Sequence, residues 1–395
     1  MLSRKVQQVE ESQTLALTAK AKQLKDSGVD VVSLTAGEPD FPTPRHVKEA
    51  AIKAIEADFT HYTASHGTPE LIDAVIRKFS ADNDLHFPPS QILVSAGAKH
   101  SIYNALQAIC NKGDEVIILS PYWLSYPEMV RLADGTPVIV NTAFDDGFRP
   151  DIKRISRAIT PRTKAIIFNS PSNPTGVVYT QSDLEEIASV IKGSGIYVIS
   201  DEIYEKILYD GRSHFSIGSM KSIRDQVITV NGVSKAYAMT GWRIGYMGGP
   251  PAVIELARRV QSQATSNPTS ISQKATVAAL CGSQTDVETM VTEFHRRRDA
   301  VVEALSSIRG VSVFKPGGAF YIFFSIRPFF SRKYRDITIK NSSDMATYFL
   351  EQYHVALVPG LPFGSDDFLR MSYACSMREL VEGTQRIRSA LEQLV

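Results

Sequence analysis

Seven short apolar runs, rich in β-branched residues, recur between residues 91 and 250. They read QILVSAG (91–97), DEVIILSP (114–121), TPVIVNT (136–142), KAIIFNSP (164–171), GIYVISDE (195–202), QVITVNG (226–232) and RIGYMGG (243–249). A polar or glycine-containing turn follows each run. Apolar strands without polar alternation belong in a sheet covered on both faces by helices. HSIYNALQAICNKGDE (100–115) and QSDLEEIASVIKGSG (181–195) supply helical spacing between runs, and glycine closes each. The pattern predicts an α/β/α sandwich with a largely parallel sheet.

After about residue 290 the texture changes. The polar segment VTEFHRRRDAVVEALSS (291–307) reads as a helix, with HRRRD (295–299) as a solvated face. Strand-like runs follow in VSVFKPGGAFYIFFSI (311–326), VALVPG (355–360) and FLRMSYA (368–374), and a helix over 377–394 closes the chain. At 395 residues the chain is long for one core. The expected division is an N-terminal arm with part of a small domain (1–45), a large domain (46–290) and a small α+β domain (291–395).

Composition excludes several function classes. Forty-three Lys plus Arg balance 42 Asp plus Glu, leaving none of the basic surplus that broad nucleic-acid or anionic-membrane binding requires. The cysteines at 110, 281 and 375 form no C-x-x-C pair, which fits a reducing cytosol. MLSRKVQQVEESQ has no apolar core of a signal peptide, and the apolar runs are too short to span a bilayer. A soluble, cytoplasmic protein is expected. The eight histidines show no H-x-x-x-H or H-E-x-x-H spacing, so no metal site is expected.

In an open α/β sheet, ligands bind beyond the carboxyl ends of the strands. The residues there are Gly97-Ala98-Lys99, Tyr122-Trp123, Asn173, Asp201 with Tyr204, and Ser234-Lys235. An amine can form a Schiff base with a carbonyl once desolvation or cationic neighbours lower its pKa. A carboxylate can keep a pyridinium nitrogen protonated, which makes the ring an electron sink. An indole can cover a ring face, and Asn173 and Tyr204 can donate to a ring oxygen. The turn SAGAKH, opening a helix, and Arg243 suit a phosphate. Together these groups match pyridoxal 5′-phosphate.

GVSKAYAMTGWRIG (232–245) resembles the cofactor-attachment signature of the class I pyridoxal-phosphate-dependent aminotransferases. LTAGEPDFPTP (34–44), SPYWLSYPE (120–128), NSPSNPTGVVY (169–179), SDEIYE (200–205), PGGAFYIF (316–323) and FLRMSYA (368–374) resemble that family in order and spacing, closest to its bacterial aspartate aminotransferase branch. The resemblance implies a fold-type I transferase and ping-pong transamination. It makes Lys235 the Schiff-base lysine and proton carrier, pairs Asp201 with the pyridine nitrogen, and sets Tyr204 and Asn173 on the ring oxygen with Trp123 stacked above. Ala98, Lys99, Ser234 and Arg243 hold the phosphate. Tyr62 reaches the phosphate of a neighbouring subunit, which implies a homodimer with shared active sites.

On the same resemblance, Arg370 binds the substrate α-carboxylate, assisted by Gly37 and Asn173. By alternation with Leu369 and Met371 alone, Arg370 fits a solvent-facing position equally well. Lys99 is the candidate for a distal carboxylate, favouring aspartate and glutamate with oxaloacetate and 2-oxoglutarate. Relatives that act on prephenate use a basic residue in the N-terminal segment, where this chain has Glu10. Aromatic or alanine-type specificity, or a pyridoxal-phosphate lyase of the same fold, are the alternatives. A regulator on this fold would need an added DNA-binding domain, for which the match leaves no room.

Overall fold

The computed structural model describes residues 2, 3, 5–9 and 13–395, with the backbone alone for 13–18. The seven runs form one sheet: β1 (Ile92–Ser95), β2 (Glu115–Ser120), β3 (Thr136–Asn141), β4 (Thr163–Asn169), β5 (Tyr197–Asp201), β6 (Val227–Gly232) and β7 (Gly245–Gly248). Their spatial order is β1-β7-β6-β5-β4-β2-β3, and all run parallel except β7, which is antiparallel to both neighbours.

Alternate residues of β2 explain why its run is continuously apolar. Val116 and Ile118 enter one core with Ile102 and Leu106 of the helix Ala98–Ile109. Ile117 and Leu119 enter another with Leu184 and Ile187 of the helix Gln181–Ile191. Each face is therefore covered by a helix layer. β3 departs from that expectation, because Val140 is its one buried residue. It is the sheet edge, and Pro137, which cannot donate to a ladder, is the sequence signal of that position.

From β2 the chain crosses outward to β3, then returns to β4 on the opposite side of β2. The direction of winding reverses between β2 and β4, and that reversal opens a crevice beyond their carboxyl ends.

The second half of the fold is a small antiparallel sheet of β8 (Ser312–Val313), β9 (Tyr321–Ser325), β10 (Val358–Pro359) and β11 (Phe368–Ser372), in the order β10-β11-β9-β8. The N-terminal segment joins it early, as Val32–Ser33 pairs in parallel with Val355–Ala356. Among the described residues, no helix is long and apolar enough to cross a membrane.

The polar helix runs from Thr285 to Ser306, and its HRRRD stretch is only half solvated. Arg297 and Arg298 are buried, which corrects the reading of a wholly exposed face. Arg297 donates to Asp40 (2.7 Å) and Glu293 (2.9 Å), and stacks over Phe41. Arg298 donates to both oxygens of Asp210 (2.6 and 2.8 Å) and to the Pro316 carbonyl (3.0 Å). A charge run reads as solvated unless the carboxylates that neutralise it are known, and two of these, Asp40 and Asp210, lie far away in sequence.

Behind β5 lies a second buried charge network. Lys78 pairs with Glu205, and Asn83 donates to Glu205 (2.6 Å) and Glu202 (3.0 Å). Glu202 also receives Ser200, Ser216 and His214. Glu202, Glu205 and His214 converge closely enough to suit a cation, but Lys78 and Asn83 already supply positive charge and donors there. The network anchors the turn that follows Asp201. Removing Lys78 would strand buried carboxylates, so Lys78→Met should cost about 3–5 kcal/mol. Urea unfolding should show this as a lower midpoint at unchanged slope.

Candidate active site

The crevice is a cleft of about 530 Å³, and every residue given a binding or catalytic role from the sequence lines it except Tyr62, while Gly97 and Tyr122, also expected at the strand ends, are not among its lining residues. Tyr62 is 92% exposed on this chain. Glu10 lies outside the described residues.

Lys235 sits in the turn after β6. Val233, Ala236 and Tyr237 around it are buried in a core with Phe79 and Tyr246, which leaves Ser234 and Lys235 as the members of the turn that reach the cleft. Its Nζ donates to the Gly37 carbonyl at 2.5 Å and lies 5.9 Å from the Tyr204 ring centre. Burial pushes the amine down to about 8; Glu38 opposes the shift, and Arg370 and Arg243 add to it. An amine in that range is readily neutral and nucleophilic.

Asp201 ends β5 and is buried. Burial pushes its carboxyl up to about 6, against hydrogen bonds from Tyr126 Oη (2.6 Å) and the Ile203 N–H (3.3 Å). Asn169 ties adjacent strand ends together: its amide donates to the Asp201 carbonyl (2.8 Å), and its side-chain oxygen accepts the Asn173 N–H (2.7 Å). Tyr204 faces Tyr321, hydroxyl to hydroxyl, at 3.0 Å.

The other end of the cleft is an anion seat. Gly97 adopts φ +94°, and a Cβ there would fall on the Arg243 guanidinium. A Cβ on Gly245 would strike the Ala98 backbone nitrogen. These two glycines let the helix start, β7 and Arg243 close on one point. The first N–H groups of that helix, those of Ala98 and Lys99, have no carbonyl a turn earlier to bond. The helix dipole and Arg243 add positive potential. Lys99 lies over the Trp123 ring at 4.8 Å, and its ammonium is pushed down by burial and by Arg243.

Arg370 lies on β11 and is buried, which removes the solvent-facing alternative. It donates to Asn173 Oδ1 (3.1 Å) and to the Thr35 carbonyl (2.9 Å), and its guanidinium lies 4.6 Å from the Tyr321 ring centre. Its Nε is buried without a partner. A buried guanidinium with an unused donor, lining a cleft, suits a carboxylate.

Sequence reasoning missed Tyr126, Asn169 and Tyr321 as individual residues, although each lies inside a quoted motif. Tyr126 could have been found from spacing, since it follows Trp123 by three in the first turn of the helix Ser125–Leu132.

The depressed amine of Lys235 has a direct consequence. Below its pKa the amine is protonated and inert, so aldehyde capture by the apoprotein should rise with pH and level off above about 8. Quantifying the Lys235 adduct by mass spectrometry after borohydride trapping tests this; a plateau only near the free-lysine value of 10.5 contradicts it.

A family model described as aminotransferase class I and II matches residues 29–387. An aspartate/prephenate aminotransferase of Nitrosomonas europaea is 46% identical, with 99% of both chains covered. An aspartate aminotransferase of Geobacillus stearothermophilus is 44% identical over 99% of both chains. The crystal structure of the Rhizobium meliloti aspartate aminotransferase superposes with a TM-score of 0.97 at 42% identity, covering 100% of each chain. That of the Thermus thermophilus aspartate aminotransferase with maleate gives 0.93 at 44%, covering 99% of each. A half-buried amine, a buried carboxylate and a helix-start anion seat lie on a fold shared end to end with these enzymes; the chain belongs to the class I and II aminotransferases and is a pyridoxal-phosphate-dependent enzyme.

Proposed function

We propose that this enzyme is an aspartate aminotransferase, moving the amino group between aspartate or glutamate and 2-oxoglutarate or oxaloacetate by a ping-pong sequence. The observation that carries the reading is the placement of two cationic side chains, the buried Arg370 and the more exposed Lys99, on one cleft with the Lys235 amine. A dicarboxylic amino acid needs one cation for each carboxylate and a base between them.

The residues present fit pyridoxal phosphate. The helix start at Ala98 and Lys99, with Ser234 and Arg243, would hold its phosphate. Asp201 would hold its ring nitrogen, Tyr204 and Asn173 its ring oxygen, and Trp123 its face. When bound, the cofactor supplies a carbonyl for the amine and an electron sink for the α-carbon's electrons. Arg370 orients the substrate through its α-carboxylate, with Gly37 and Asn173 beside it. Lys235 Nζ, increasingly neutral as the pH rises through about 8, takes the proton from the α-carbon and carries it onward. Asp201, as a carboxylate, keeps a proton on the nitrogen opposite it.

We read the chain as an arm (1–45), a large domain (46–290) and a small domain (291–395), working as a homodimer. The exposed Tyr62, together with Ile52 and Ile55, each 52% exposed on the nearby helix, supports a surface covered by a second copy. In that dimer Tyr62 would reach the partner's phosphate. Three unpaired cysteines support a cytosolic setting.

Prephenate is the second reading, favoured by the name of the Nitrosomonas europaea relative and opposed by the charge of Glu10. A half-reaction screen separates the readings. The pyridoxal form, mixed with single amino acids, should convert to the pyridoxamine form with aspartate and glutamate at far lower concentrations than with alanine or phenylalanine. Preference for alanine or phenylalanine would overturn the assignment, and conversion of the pyridoxamine form by prephenate would establish the second activity. Lys99→Ala should raise the KM for aspartate about 10- to 100-fold, the size of one hydrogen bond to a charged group, and leave that for alanine nearly unchanged.

A further inference from the structure

Tyr126 is a buried tyrosine to which neither the reaction above nor the sequence assigns a role. It is 1% exposed, in the first turn of the helix that begins at Ser125. Its backbone N–H bonds the Trp123 carbonyl at 2.9 Å, so it cannot move independently of the indole. Its ring meets that indole edge to face, with centres 5.4 Å apart and planes at 89°. Its hydroxyl donates to Asp201 Oδ2 at 2.6 Å, a short bond of the kind made to an ionised oxygen.

Asp201 comes from a different strand, and its other oxygen, Oδ1, accepts from the Ile203 N–H at a longer 3.3 Å. The phenol is therefore the closer of two donors on a buried carboxylate that must stay charged to work. The ionisable groups acting on that carboxylate are Tyr126 from the helix after β2, Glu202 and Tyr204 from its own turn, and Lys235 from the turn after β6. Glu202 raises the carboxyl's proton affinity, while Tyr126 and Lys235 lower it.

We propose that Tyr126 is a positioning residue: it fixes the Asp201 carboxylate in its ionised form and couples its alignment to that of the Trp123 ring, so that the group at the ring nitrogen and the group over the ring face are set by one side chain. The inference rests on the reading that Asp201 holds the ring nitrogen of pyridoxal phosphate.

Tyr126→Phe tests it, because the ring that packs on Trp123 is kept and only the hydroxyl is lost. A thermal melt of the apoprotein separates any loss of stability from loss of alignment. Titration of the apoprotein with pyridoxal phosphate should show binding weakened about 10- to 100-fold. The pH at which binding fails on acidification should move up by about one to two units, since a carboxylate that loses a donor protonates more readily. In steady state kcat should fall more than KM rises, because substrate contacts are untouched.

Asp201→Asn, measured in parallel, locates any failure. If Asp201→Asn loses the cofactor and Tyr126→Phe keeps the parent's affinity and pH midpoint, the role of Tyr126 is overturned and the reading of Asp201 stands. If Asp201→Asn itself binds like the parent, both are overturned. A lower melting temperature with an unmoved pH midpoint would reduce Tyr126 to a packing role and overturn the proposal.

Discussion

The contact on which the site depends is that of the Lys235 amine with the carbonyl of Gly37, 198 residues earlier in the chain. A lysine half-buried in this way loses part of its hydration, which is what makes it chemically useful and also what makes it costly. The carbonyl offsets part of that cost only if the N-terminal segment is held over the cleft. Most of the smaller interactions of residues 32–43 serve this end. Val32–Ser33 is stitched to Val355–Ala356, the Thr35 carbonyl receives Arg370, and Asp40 receives Arg297. Phe41 packs on Phe294, and Thr43 bonds both Ala238 and Trp242. A twelve-residue segment with so many anchors behaves as part of the wall.

Charge in the cleft is graded. Lys99, Arg243 and a helix N-terminus crowd one end, Arg370 another, and the carboxylate of Asp201 stands in the interior. Burial and Arg243 depress Lys99, and burial with Arg370 and Arg243 depresses Lys235, whereas the Asp201 carboxyl is raised by burial. The site thus brings a base and an acid toward the neutral range from opposite directions.

Much of this was legible in the sequence, for a physical reason. Strands buried on both faces leave continuous apolar runs, and the residue after each run must lie at the carboxyl edge of the sheet, so Asn173, Asp201 and Lys235 could be placed together without coordinates. What could not be read depends on partners distant in the chain. The burial of Arg297 and Arg298 is set by Asp40 and Asp210, and that of Arg370 by Thr35 and Asn173. Alternation in β11 predicted two faces but not that both are covered. The edge position of β3 was signalled by Pro137, and the signal was outweighed by its apolar neighbours.

The consecutive arginines of the long helix have a mechanical consequence. Neighbouring side chains on an α-helix diverge by about 100°. Arg297 therefore reaches toward Asp40 in the wall of the cleft, while Arg298 reaches a different way, to Asp210 and Pro316. Rolling the helix about its axis would stretch one set of bonds while compressing the other. The helix Thr285–Ser306 is thus keyed against rotation, and one of its two keys closes on Asp40, three residues from the carbonyl that receives the Lys235 amine.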